Sequence, residues 1–217
     1  MSGADCGKCR QLLADKEDDN KLADLVEAQH PRCVCESHSM GDGSPGIVTN
    51  DEILHRLIVS PRDYDPADGT IRARPFEKVF GNGLSVWRAI GPDADVEILL
   101  AEGLSRSTND PPKQVFAICA MDVATARGMV DPAGERLFCV YDQTVRRLDP
   151  SNPPVSTHAN IFLRAPAPKT PHRTKLRKDY AGQLREKFLQ RIIPAASYKS
   201  GLCIRLNTRA AAGDFNR

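Results

Sequence analysis

The chain lacks any apolar run approaching the ~18–20 residues that a bilayer span requires. Its opening, MSGADCGKCRQ, lacks the basic-then-apolar order of a secretory leader. Aromatic residues are scarce, 6 % with a single tryptophan, so no platform for stacking nucleic-acid bases is visible and base-specific readout is not expected. The nucleophile and phosphate motifs GxSxG, GxxxxGK[ST], GxGxxG and HExxH are absent, as is the protein-kinase set. Gly81-Asn82-Gly83 reads as a turn, and no internal repeat is present. These absences exclude collagen, coiled coil, a membrane protein and full-length disorder.

What is present suits one ordinary domain with appendages: 217 residues, 41 % of them hydrophobic. The formal charge of +2 conceals a polarity. Residues 1–163 carry 17 Lys/Arg against 25 Asp/Glu, a net of −8, and residues 164–217 carry 13 against 3, a net of +10. An acidic body is therefore joined to a basic end.

The pattern predicts an α+β fold, a small mixed or antiparallel sheet core with an N-terminal Cys-rich helical extension and a C-terminal basic helix. Its divisions are a Cys-rich segment 1–40, a Gly/Ser-rich linker 41–50, a core 51–165 and a basic helix and tail 166–217. Within 10–29, Leu12, Leu13, Leu22, Leu25 and Val26 suit one amphipathic helix or two short ones broken near Asp18–Asn20, ended by His30-Pro31. Strands are expected at 53–59, from Thr70, at 84–90, 113–121, 135–142 and 158–165. Asp68-Gly69 is a turn, and helices are expected at 93–104 and 122–128. Residues 165–172 form a proline-rich linker. In 174–193, Leu176, Tyr180, Leu184, Phe188 and Ile192 recur every four residues opposite basic positions, with Pro194 as the stop. CIRLN (203–207) reads as a short strand.

Seven cysteines are present, an odd number that argues against a secreted disulfide scaffold and makes a reducing cytoplasm the expected setting. Four fall in the first 35 residues, as Cys6-x2-Cys9 and Cys33-x-Cys35. Two thiolates on one turn supply half of a tetrahedral zinc site without strain. The expected metal ligands are Cys6, Cys9, Cys33 and Cys35, with His38 as an alternative fourth. A closed set of four ligands implies a structural role. Reduced free thiols and a redox pair are the competing readings. Cys119 and Cys139, inside apolar stretches, read as small buried hydrophobes.

The basic end offers Lys175, Arg177, Lys178, Arg185, Lys187 and Arg191 as contact residues. Three readings stay open: a solvated face, a sequence-blind hold on nucleic acid by counterion release, and docking on an acidic protein or on the chain's own acidic body. In the core, Arg56 stands in an otherwise apolar strand, Ser85 in GLSVWR, and His158 opens a strand after a Pro/Ser loop. Converging, they would hold an anionic group, orient it and shuttle a proton. The plainer reading has strand alternation turning them outward, with Ser85 satisfying a backbone group and His158 capping a loop.

LHRLIVSPRDYDPADGTIRARPF, GLSVWR and STHANI together resemble an uncharacterised group of bacterial proteins. That group shares an L-x-R strand, an LSV strand and a late HA-x-[IV] element. The resemblance covers 53–163 and touches Arg56, Phe76, Leu84, Ser85, Val86, His158 and Ala159. It implies a domain boundary and no reaction. The L-x-R strand is also similar to the early arginine strand of ADP-ribosyltransferase-like folds, which implies an NAD-like anionic substrate. Their late glutamate has no counterpart here, since Glu135 and Asp142 stand in other contexts. The expected function is a cytoplasmic binding or adaptor protein with a zinc knuckle and a basic helix that contacts an acidic protein or nucleic acid. The alternative is an enzyme with an Arg56/Ser85/His158 cleft for a nucleotide-like anion.

Overall fold

The structure is a computed structural model that describes residue 13 and residues 22–29, 35–38, 44–90, 114–143, 157–164 and 173–195. The expected helix at 93–104, the proline-rich linker 165–172, the strand at 203–207 and Cys6, Cys9 and Cys33 lie outside these residues.

Of the elements whose bounds are described, the first is a short helix, α1 (Leu22–Gln29), followed by β1 (Ile53–Ser60) and the small hairpin β2 (Tyr64–Asp65) and β3 (Thr70–Ile71). Gly69, at φ 70°, supplies the left-handed residue of the Asp68-Gly69 turn. A 3-10 turn (Phe76–Phe80) leads to β4 (Leu84–Arg88). Then follow β5 (Gln114–Asp122), α2 (Val123–Gly128), β6 (Phe138–Asp142), β7 (His158–Leu163), α3 (Arg173–Leu189) and β8 (Ile192–Pro194). Six strands form one sheet in the order β6-β7-β4-β1-β5-β8, every neighbouring pair antiparallel.

The apolar runs of β1, β4, β5, β6 and β7 are buried on both faces, which is why they read as continuous rather than alternating stretches. On the inner face Leu54, Ile58, Leu84, Val86, Phe138, Val140 and Ile161 form the main core with Phe76 and Val79 of the 3-10 turn. Helix α3 closes this core with Ala181, Leu184 and Phe188, so the segment that reads as an appendage covers the sheet. The outer face carries two smaller clusters. One sets Leu22, Ala23 and Val26 of α1 on Tyr141 and Phe162, and the other joins Leu57, Val59, Trp87 and Ile118.

The helix expected at 174–193 stops at Leu189. The Gln190 and Arg191 amides donate to the Lys187 and Phe188 carbonyls, a tightened last turn. Pro194 offers no amide, and β8 runs along the sheet edge, where proline is tolerated. The linker also differs over its described part, 44–50. Val48 is 2 % exposed in the main core, and two arginines hold the segment. Among the described residues no helix is long and apolar enough to cross a membrane.

Candidate functional site

Strand alternation divides the polar side chains between the two faces. Arg56 stands between Leu54 and Ile58 and opposite Cys119, hence on the inner face. Ser85 and His158 are on the outer face, Ser85 between Leu84 and Val86, and His158 beside the inward Ala159. The sheet itself therefore separates Arg56 from the other two, and no cleft is built from all three. Arg56 meets Ser85 only through the backbone, Nη1 donating to the Ser85 carbonyl at 2.9 Å. Pairing between β1 and β4 is confined to Leu54↔Arg88 and His55↔Trp87. The guanidinium thus supplies a donor to a carbonyl beyond the paired stretch.

The outer face brings together a different set. His55, Trp87 and His158 form one row across β1, β4 and β7, and Ser85, Asn160 and Tyr141 form the next across β4, β7 and β6. The Trp87 and His158 rings meet edge to face at 5.6 Å. His158 Nδ1 is 2.9 Å from the Gln143 carbonyl, which only accepts, so Nδ1 carries a proton. Asn160 Nδ2 donates to Gln143 Oε1, and Gln143 Nε2 donates to the Leu13 carbonyl at 2.9 Å. Among the described residues the buried Trp87 N–H, Tyr141 hydroxyl and Asn160 Oδ1 have no hydrogen-bond partner. Gly83 is required beneath them. At φ +91°, a Cβ there would lie 2.7 Å from Phe162 Cζ and 3.2 Å from Asn160 Cγ.

Burial, reinforced by the positive charge of Arg191, lowers the His55 pKa to about 4. The unfolded chain takes a proton near the ordinary value of about 6.5, and the folded chain resists it. Stability contributed by neutral His55 is complete above that value, falls as pH drops and levels off below about 4. His55→Gln is expected to flatten the stability slope across this window. Urea midpoints of wild type and variant measured at several pH values check this, and parallel slopes would contradict it.

Two features of the basic helix bear on contact. Arg177 Nη2 donates to Asp24 of α1, and Arg185 Nη2 and Nε donate to the Ile71 carbonyl at 2.6 and 3.1 Å. Both arginines are thus tied to the chain's own body. Lys175, Lys178, Lys187 and Arg191 remain exposed, interleaved with exposed Asp179 and Glu186. Beside Lys187 an open groove of about 530 Å3 runs between the end of α2 and α3, lined by Met129, Val130, Gln183, Glu186, Lys187 and Gln190 among others. Val130, at its rim, is 53 % exposed.

Cys35 and Cys139 are each disulfide-bonded, so neither is the free thiol that the sequence suggests. Cys119 is free, and burial pushes its thiol up to about 12, against the fields of Arg56 and Arg185. Among the described residues no group of three or more His, Cys, Asp or Glu could hold a metal ion.

Sequence reasoning missed Arg88, the last residue of LSVWR. It is 2 % exposed, yet all its donors are used. Nε and Nη2 donate to the two Glu52 oxygens at 2.7 and 2.8 Å. Nη1 donates to Asp142 at 3.1 Å and to the Gly46 carbonyl at 2.7 Å, and Nη2 to the Ile47 carbonyl at 3.0 Å. Burial opposes the Glu52 charge, but Arg88 and the Thr49 bonds outweigh it and hold that carboxyl below its usual range. Arg127 adds a second clasp, donating to Asn50 Oδ1 at 2.7 Å and to the Val48 carbonyl at 2.9 Å. The only sequence signal was a cation at the end of an apolar strand. Compared with known proteins, the chain matches no family model, no curated protein and no solved structure.

Proposed function

We propose that the chain is a binding protein that takes an acidic polypeptide on the exposed side of α3, with an apolar side chain of that partner seated in the α2–α3 groove. The supporting observation is exposed Lys187 lining a groove together with Met129 and Val130, on a segment that also exposes Lys175, Lys178 and Arg191. Apolar side chains set beside charged ones suit a protein partner. A phosphate backbone is favoured by an unbroken cationic track and by free aromatic faces. Asp179 and Glu186 break that track, Phe188 is buried in the core, and Tyr180 is packed against it. In this reading Cys6, Cys9, Cys33 and Cys35 of the reduced chain form a structural zinc knuckle, supported by their spacing.

The test is binding of a labelled glutamate-rich peptide carrying one leucine. Replacing the four exposed cations by glutamine is expected to weaken it about tenfold or more, as is Val130→Asp. Arg177→Gln is expected to affect stability rather than affinity. Tighter binding of a random DNA or RNA oligomer than of the peptide would overturn this reading in favour of nucleic acid.

A second reading, an enzyme, is favoured by His158, oriented by its Nδ1 bond to the Gln143 carbonyl, beside outer-face polar atoms of Trp87, Tyr141 and Asn160 that have no partner among the described residues. With Arg56 on the other face, its substrate would be a neutral polar molecule rather than an anion. Its check is turnover lost in both Ser85→Ala and His158→Gln.

A further inference from the structure

Three hydrogen-bond donors share one row of the outer face. His55 on β1 is the register partner of Trp87 on β4 and of Ala120 on β5. The Ala120 amide donates to the Arg191 carbonyl at 2.8 Å, which carries the row on to Arg191, just ahead of β8. Only the methyl of Ala120 stands between Arg191 and His55 in the row, and the Arg191 charge acts on the His55 ring. Exposure falls along the row, from exposed Arg191 through half-buried His55 to Trp87 at 9 %. The row thus has an open end and a closed one.

None of the three side chains has a hydrogen-bond partner among the described residues, and the Trp87 N–H is buried in that state. An indole N–H and a guanidinium only donate, so whatever completes them must accept. A guanidinium beside ring N–H groups favours charge-assisted bonds to an oxyanion. Three donors arriving from separate strands match the three oxygens of a phosphate group better than the two of a carboxylate. On β1, β4, β5 and β7 the other titratable side chains of this face are exposed Asp122, one row away opposite Ile53, and His158, on the far side of Trp87.

We propose that Arg191, His55 and Trp87 form a site for the phosphate group of a small molecule. Arg191 draws the anion in at the exposed end, and the His55 and Trp87 ring N–H groups bond its oxygens at the closed end. The site lies on the face of the sheet opposite α3, apart from the peptide groove, and does not draw on Ser85 or His158.

Trp87 is the only tryptophan, so its fluorescence reports on the site in the unlabelled full chain. Inorganic phosphate at neutral pH is expected to change it saturably, with half the effect near about 1 mM. Sodium chloride of equal ionic strength should leave it unchanged. Arg191→Gln and His55→Gln should each weaken the binding about tenfold or more. Arg74→Gln, which removes another exposed arginine, should not. Followed by NMR in the wild type, His55 should hold its proton about tenfold more tightly in phosphate than in chloride, because the bound anion opposes the burial and the Arg191 charge that keep the ring neutral. A fluorescence change that chloride reproduces, an equal loss in Arg74→Gln, or a His55 titration unmoved by phosphate would overturn the site. Acetate bound as tightly as phosphate would overturn the ligand class.

Discussion

Arg88→Leu is expected to destabilise the fold by about 3–5 kcal/mol, the usual cost of removing one partner from a buried ion cluster. The carboxylate side chains of Glu52 and Asp142 are 11 % and 0 % exposed, so water cannot replace the guanidinium there. The Gly46 and Ile47 carbonyls lose their donors at the same time, which frees the stretch that buries Val48. For a chain of this size the melting temperature should fall by roughly 6–20 °C. Arg88→Lys is expected to recover little, because a single ammonium cannot reproduce a five-donor planar fork. Combining Arg88→Met with Glu52→Gln and Asp142→Asn should recover part of the loss, since no buried charge is then left uncompensated. Thermal and urea unfolding followed by circular dichroism provide the comparison. A loss below about 0.5 kcal/mol in Arg88→Leu, the scale of an ordinary surface change, would show that the cluster is not the clasp described.

The second large effect lies in α3. Phe188→Ala should cost about 3–5 kcal/mol, the range for emptying a packed aromatic site. Phe188 is 0 % exposed, and its ring centroid is 5.9 Å from that of Phe76. Removal of residues 173–217 goes further, uncovering the inner face and taking β8 from the sheet edge, and is expected to abolish cooperative unfolding. On the same helix, Lys175→Gln and Lys178→Gln should stay within about 0.5 kcal/mol of wild type, because both side chains are exposed. A truncated chain that unfolds cooperatively with unchanged stability would return the helix to the status of an appendage.

How much was legible depends on whether the deciding contact is local. The strands at 53–59, 113–121 and 158–165, the Asp68-Gly69 turn and the helix over DVATARGM were readable, because apolar runs and turn residues act over a few positions. The buried stripe of α3 was readable for the same reason, through Leu184 and Phe188. Its destination was not: net charges of −8 and +10 suggest a separate basic arm, whereas Arg177 and Arg185 spend their charge on Asp24 and the Ile71 carbonyl. The candidate trio failed on parity. Arg56 and Ser85 are each plausible alone, but only the register His55↔Trp87 puts them on opposite faces. The Arg88 cluster joins residues up to 54 positions apart, a separation for which a single sequence carries no signal. Cys139 read correctly as buried, while its disulfide depends on a partner that spacing cannot identify.

The most direct test of this account is native-state amide hydrogen exchange across α3. If the helix closes the sheet core, the amides of Leu184 and Phe188 should exchange as slowly as those of Leu57 and Ile118 in the central strands β1 and β5, through global unfolding. Exchange at Leu184 and Phe188 at the rate of an unstructured peptide, with β1 and β5 still protected, would contradict it.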